Sequence, residues 1–227
     1  RIPGTWFDDR NERRRVAYNS ILSWLSNGSE EQKQRAIKRL DKLVEQNYVP
    51  ALWLSGRLSL LGQRVPKNPE KAITLFQRAA QKNHGPALYE IGRLHLAGDL
   101  LPKDEQKGWG LIRHAVLLGS PAAQFYLAAA HEFGEGVPKD LERSRQLYEM
   151  CADSGFELCQ YRLGRLLLET KDGADHHYLQ GLAWLSLASE GGVADARRLA
   201  ETERARLRPE QMEWVEKLKK RLSHRVP

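Results

Sequence analysis

The chain has 227 residues, carries a net charge of +7 and is 41% hydrophobic, which is enough apolar material for a continuous core. No apolar run approaches the ~18 residues that a membrane-spanning helix requires, so the sequence offers no transmembrane helix. The length suits one solenoid domain over residues 1–227 rather than two globular ones.

Residues 1–50 read as a divergent opening repeat and cap. Arg15 to Leu25 forms its first helix, with Val16, Ile21, Leu22 and Leu25 apolar. Ser26-Asn27-Gly28-Ser29-Glu30-Glu31 supplies turn and capping residues. Ala36, Leu40, Leu43 and Val44 then keep helical spacing in a second helix. From Ala51 the chain repeats itself. Ala51, Ala87, Ala123 and Cys159 open copies 36 residues apart, giving repeats at 51–86, 87–122 and 123–158 and a degenerate one at 159–195. Periods of this length mark a solenoid, in which each unit buries its apolar face against its neighbours.

The same landmarks recur inside each copy. Five residues in stand Gly56, Gly92, Ala128 and Gly164. A mid-helix glycine costs about 1 kcal/mol relative to alanine, so its recurrence predicts two helices in close approach. Gly62, Gly98 and Gly134 fit a helix C-terminus, where glycine accepts the left-handed conformation. Val65, Leu101 and Val137 each precede Pro-Lys, and Asn68, Asp104 and Asp140 are N-caps for a second helix, with Pro69 at its first position. The second helices show apolar faces at Ala72, Phe76, Ala79 and Ala80; at Leu111, Ile112, Ala115 and Val116; and at Leu147, Tyr148, Cys151 and Ala152. Gly119 and Gly155 close two of them. In the degenerate copy Trp184, Leu187, Ala188 and Gly191 act as a second helix after one inserted residue. Residues 196–227 form capping helices: Ala196, Leu199 and Ala200 open one, and Trp214, Val215, Leu218 and Leu222 stripe another from near Pro209 to Leu222. The expectation is an all-α chain of about ten or eleven helices, wound as a right-handed α/α superhelix.

These residues resemble the Sel-one-like repeat (SLR), a relative of the tetratricopeptide repeat. Gly134-Glu135-Gly136-Val137-Pro138-Lys139-Asp140 follows its Gly-x-Gly-Val-x-x-Asp loop, and Lys71-Ala72 with Ala79-Ala80 follows its second helix. His95 and His131 stand where the family carries Tyr, the fourth copy lacks Gly-x-Gly, and Lys171 to His177 reads as a loosened loop. The plain tetratricopeptide repeat, with a period of about 34 and no such loop, fits less well. The resemblance covers roughly residues 30 to 200. It implies a non-enzymatic scaffold or adaptor for protein complexes, in many members bacterial and active in the envelope, in export, motility, secretion or host contact. A tail such as Leu207-Arg208-Pro209-Glu210-Gln211 is common in bacterial members.

Two cysteines are present, Cys151 near the end of one second helix and Cys159 at the start of the next first helix. Antiparallel helices joined by the Ser154-Gly155 turn can bring Cα atoms within the ~4.4–6.8 Å of a disulfide. Secreted members of the family look similar, with a bridge across the same gap, which implies a periplasmic or secreted protein. The other reading is two small buried apolar residues, as in a cytoplasmic protein. The chain opens at Arg1 rather than Met, as a processed or trimmed product would, which leaves open an export signal removed ahead of it.

Positive charge gathers at the ends, at Arg10, Arg13, Arg14 and Arg15 and at Lys217, Lys219, Lys220, Arg221 and Arg225. Acidic residues interspersed between them argue against a nucleic-acid groove, and solvated helix faces account for the rest. First helices of such superhelices line the concave face. There Arg57, Arg93 and Arg165 follow the position-five glycine, Ala129 interrupts them, and Trp53, Tyr89, Tyr126 and Tyr161 lie nearby. Arginine and aromatic residues anchor protein recognition, and a guanidinium forks onto a carboxylate. The candidate is a groove for an acidic or extended partner segment. The alternative is that each arginine pairs with a neighbouring repeat's acid, such as Glu90, over core aromatics. An anionic polysaccharide or peptidoglycan is a second class of ligand for the same side chains.

Enzyme chemistry is not indicated, and no catalytic residue, cofactor or metal site is assigned. His131-Glu132 lacks the second histidine of a zinc-protease helix. His176 and His177 beside Asp172 and Asp175 are a poor chelating arrangement. The Gly-x-Gly ends a helix instead of following a strand, so it is no phosphate cradle. End-to-end dimers through the Trp6 to Arg15 or Trp214 to Leu222 regions are compatible with the sequence.

Overall fold

The computed structural model describes residues 9–169 and 175–224, and among them are twelve helices and no strand. Trp6, Asp172 and Arg225 lie outside the described residues. The chain divides into two compact units, Arg1–His114 and Ala115–Pro227, the division falling in the last turn of one helix. The first unit holds α1 (Asp9–Asn27), α2 (Glu30–Glu45), α3 (Val49–Leu61), α4 (Pro69–Ala80), α5 (Gly85–Ala97) and most of α6 (Glu105–Leu117). The second holds α7 (Pro121–Phe133), α8 (Leu141–Asp153), α9 (Glu157–Glu169), α10 (Asp175–Glu190), α11 (Ala194–Arg204) and α12 (Pro209–Ser223). The opening helix starts six residues before the expected Arg15, at Asp9. That added stretch is polar and mostly exposed, so no apolar periodicity marks it.

Each turn is built by the chemistry its residues dictate. Gly62, Gly98 and Gly134 end α3, α5 and α7 with φ of 68°, 74° and 75°. Asn68, Asp104 and Asp140 accept, through their side-chain oxygens, the backbone N–H groups of Lys71, Lys107 and Arg143, each at 2.9 Å. These bonds satisfy donors left orphaned at a helix start. Ser29 and Gln32 form the reciprocal capping box of α2. One backbone bond recurs in three loops: the N–H of Asn68, Asp104 and Asp140 donates to the carbonyl of Ser59, His95 and His131. The two histidines add a second tie. His95 Nδ1 lies 2.9 Å from the Pro102 carbonyl and His131 Nδ1 3.0 Å from that of Pro138. A carbonyl only accepts, so both rings carry their proton on Nδ1, and the imidazole closes the loop.

In the first unit, Ile21, Ala36, Leu40, Leu43, Ala51 and Leu58 join α1, α2 and α3 in one cluster. Ala72, Phe76, Ile91 and Leu94 carry the core onward through α4 and α5. A methyl at Gly92 would lie 2.9 Å from the Gly108 carbonyl oxygen, so α5 and α6 touch backbone to backbone. Gly164 and Gly181 make the same approach between α9 and α10. In the second unit the middle of α10, residues 181–188, is buried on every side. Leu182, Ala183, Trp184, Leu185 and Ala188 are fully or almost fully buried as it packs on α9, α11 and α12. Val215 and Leu222 of α12 are buried in turn. Cys151 and Cys159, both inaccessible to solvent, are joined by a disulfide with Cα atoms 5.8 Å apart, stapling α8 to α9.

Candidate functional site

The first-helix face of unit 1 is made by α3 and α5. Arg57 and Arg93 occupy the same repeat position, one residue after the close-packed glycine, and both guanidiniums reach the same acid. Arg57 Nε lies 3.9 Å from Glu90 Oε1, and Arg93 Nη2 lies 3.3 Å from Glu90 Oε2. Glu90 is buried beneath them. The Arg57 guanidinium carbon stands 5.4 Å from the Trp53 ring centroid, a cation–π arrangement. Trp53 is half-buried, and its ring centroid is 6.0 Å from that of His84. Burial lowers the pKa of His84, which favours the neutral ring against the indole. Tyr89 is half-buried on the same helix as Glu90.

The corresponding face of unit 2 is made by α7 and α9. Arg165 lies 6.0 Å from the Tyr161 ring centroid and pairs with Glu169 one turn on, at 3.2 Å. Tyr126 and Tyr161 are half-buried. Three residues that no repeat position marks, Arg162, Glu132 and Phe133, join them. Arg162 pairs with Glu132 at 3.6 Å and stands 5.5 Å from the ring centroid of exposed Phe133. Glu132 also accepts a 2.8 Å hydrogen bond from the buried Tyr148 hydroxyl. Burial, reinforced by that bond, pushes the Tyr148 phenol far up, so it stays a donor. Nothing periodic marks Phe133 or Arg162, because they fill repeat positions held by other residue types in the remaining copies. The repeat position of Trp53, Tyr89 and Tyr161 is held in the third copy by Phe125, one residue before Tyr126. Phe125 packs against Tyr148 and Phe156 with ring centroids at 5.8 and 6.0 Å.

The ladder arginines thus pair with acids and still hold their guanidiniums partly in solvent. Several of the terminal charges are locally balanced. Arg15 pairs with Glu12, Lys217 with Glu213, and Lys219 with both Glu190 and Glu216. His176 and His177 lie on the first turn of α10, stacked at 5.5 Å, with His176 edge-on to Trp214 at 5.7 Å. Among the described residues no group of three or more His, Cys, Asp or Glu is placed to hold a metal ion, and no helix is long and apolar enough to cross a membrane.

The Sel1 repeat family model matches residues 49–84, 85–120, 121–156 and 158–193. Among solved structures, a Sel1 repeat protein from Oxalobacter formigenes is 25% identical, with a TM-score of 0.65 over 81% of this chain and 75% of its own. A protective antigen present in uropathogenic Escherichia coli strains, displaying an SLR fold, is also 25% identical, with a TM-score of 0.68. That match takes in 96% of this chain but only 46% of the antigen, so this chain spans just under half its length. An immunity protein from Pseudomonas aeruginosa, 15% identical, shares the fold with a TM-score of 0.64 over 99% of this chain and 89% of its own. No curated protein sequence matches the chain.

Proposed function

The chain belongs to the Sel1 repeat family, and from that premise we propose that it is a non-enzymatic adaptor of a bacterial cell envelope, holding an acidic or extended segment of a partner protein on its first-helix faces. Sel1 repeats generally mediate protein–protein interaction, and the fold is typically a non-enzymatic scaffold. The observation that carries the reading is the recurrence of a partly exposed arginine beside an aromatic ring, at Arg57 on Trp53 and Arg165 on Tyr161. Arginine and aromatic residues are the side chains that most often anchor a protein interface. The Cys151–Cys159 disulfide supports a compartment outside the reducing cytosol.

The test is affinity capture from the envelope fraction of the producing organism, comparing wild type with Arg57→Glu, Arg93→Glu and Arg165→Glu combined. One protein retained by wild type and lost by the variant is the expected result. Retention of the same protein by both would refute the arginine faces as its binding surface.

A further inference from the structure

We infer that Arg57 and Arg93 form a two-guanidinium clamp for one carboxylate of an acidic partner segment, a step that rests on the adaptor reading and specifies what the unit 1 face takes. Two cations on successive repeats repel unless something beneath them balances the charge. Glu90 does so: its side chain is 10% exposed and faces both guanidiniums from the buried side, leaving the trio at +1. Trp53 flanks Arg57 and restricts its rotation. The outward edges remain open, with the two arginine side chains 47% and 39% exposed. Glu90 reaches Arg57 on the Nε side and takes one Nη of Arg93. The terminal nitrogens of Arg57, and Nε and Nη1 of Arg93, have no hydrogen-bond partner among the described residues.

With Glu90 ion-paired on its Nε side at 3.9 Å, the Arg57 guanidinium has its two terminal nitrogens left to present N–H groups as a parallel pair, which matches the two oxygens of a carboxylate. The arrangement is confined to this face. At the position of Glu90 the other copies carry Leu54, Tyr126 and Arg162, so the buried counter-charge occurs once. In unit 2, Arg165 pairs with Glu169 of its own helix and Arg162 with Glu132. A lysine at either clamp position would keep the charge and lose the fork, which separates a shaped site from general attraction.

The experiment is fluorescence anisotropy of a labelled octaglutamate peptide, with octaglutamine as the neutral control, titrated with the full chain at low salt. Wild type should bind octaglutamate and not octaglutamine. Arg57→Lys and Arg93→Lys should each weaken binding at least tenfold, with circular dichroism unchanged. Equal binding by the lysine variants would overturn the clamp and leave only attraction by net charge. A wild type that ignores octaglutamate would also overturn it, while arginine-dependent capture of a partner in the envelope experiment would still uphold the adaptor reading. Binding of octaglutamate through the clamp with arginine-independent capture would uphold the clamp chemistry and sink the adaptor surface.

Discussion

Replacing Gly92 by alanine sets two known effects against each other at one place. Alanine is favoured over glycine within a helix by about 1 kcal/mol. Against that, the new methyl would meet the Gly108 carbonyl oxygen at 2.9 Å, Ile112 Cγ1 at 2.9 Å and Leu111 Cβ at 3.2 Å. Overpacking of this kind typically costs about 1–3 kcal/mol. Because the first obstacle is backbone, α5 and α6 must move apart, and the upper part of that range applies. The expected net loss is about 1–2 kcal/mol. Gly110, two residues beyond Gly108 on α6, supplies the control, since a methyl there meets nothing within 4 Å. Gly110→Ala should gain up to about 1 kcal/mol, leaving the two variants about 2–3 kcal/mol apart. For a chain of this size that separation corresponds to roughly 4–12 °C in Tm. The assay is thermal and urea unfolding followed by both far-ultraviolet circular dichroism and tryptophan fluorescence, whose coincidence tests two-state behaviour. Gly92→Ala unfolding at or above the wild-type midpoint would show that the helices have room and that the glycine serves no close approach.

Three further outcomes follow from features already described. Cys151→Ala with Cys159→Ala should lower stability by roughly 2–3 kcal/mol, the loop-closure value for a sequence separation of 8, and reductant should no longer shift the variant's urea midpoint; an unchanged midpoint relative to oxidised wild type would refute it. Burial, with Tyr48 nearby, pushes the Tyr18 phenol up to about 12; its contribution to stability is therefore complete below the ordinary value of 10 and is lost as pH rises through about 12. Tyr18→Phe should remove phenolate absorbance from the step near pH 12, and removal from the step near pH 10 would contradict this. Arg64 sits at a left-handed φ of 64° and bonds Glu30 at 2.6 Å, and this bond, followed by that from Lys33, holds the Glu30 carboxyl below its usual range. Arg64→Gly should raise the Glu30 pKa in an NMR titration, narrowing the stabilisation that is present above the unfolded pKa and lost as pH falls. In high salt, where the ion pair is screened, the same variant should be more stable by up to about 1 kcal/mol from relief of the backbone alone.

The repeat was legible because each landmark does one physical job at one spacing. Gly98 and Gly134 could be assigned to helix ends, and Asp104 and Asp140 to helix starts, because few other residues serve there. The opening helix was harder. Arg10 to Arg15 carry no apolar period, so α1 began earlier than the pattern indicated, and the described residues hold twelve helices rather than ten or eleven, with α11 and α12 where the apolar spacing had put them. At the candidate faces the ladder of Arg57, Arg93 and Arg165 was visible from spacing. That one buried Glu90 serves two arginines is a fact of three-dimensional packing, which spacing only named as an alternative. Arg162 and Phe133 were invisible for a different reason: a periodic reading detects what recurs, and these occur once.

The enclosure of α10 bears on where the chain can be cut. The family match ends at residue 193, which invites a fragment stopping there. Such a fragment would lose α11 and α12, and with them part of the cover over a helix whose Leu182, Trp184 and Leu185 are almost wholly buried. Its new end would be adhesive, and copies would associate through it. The cover over α10 is thus supplied by α11 and α12, which lie outside the matched repeats, so a boundary drawn from the family match alone cuts through a packed unit.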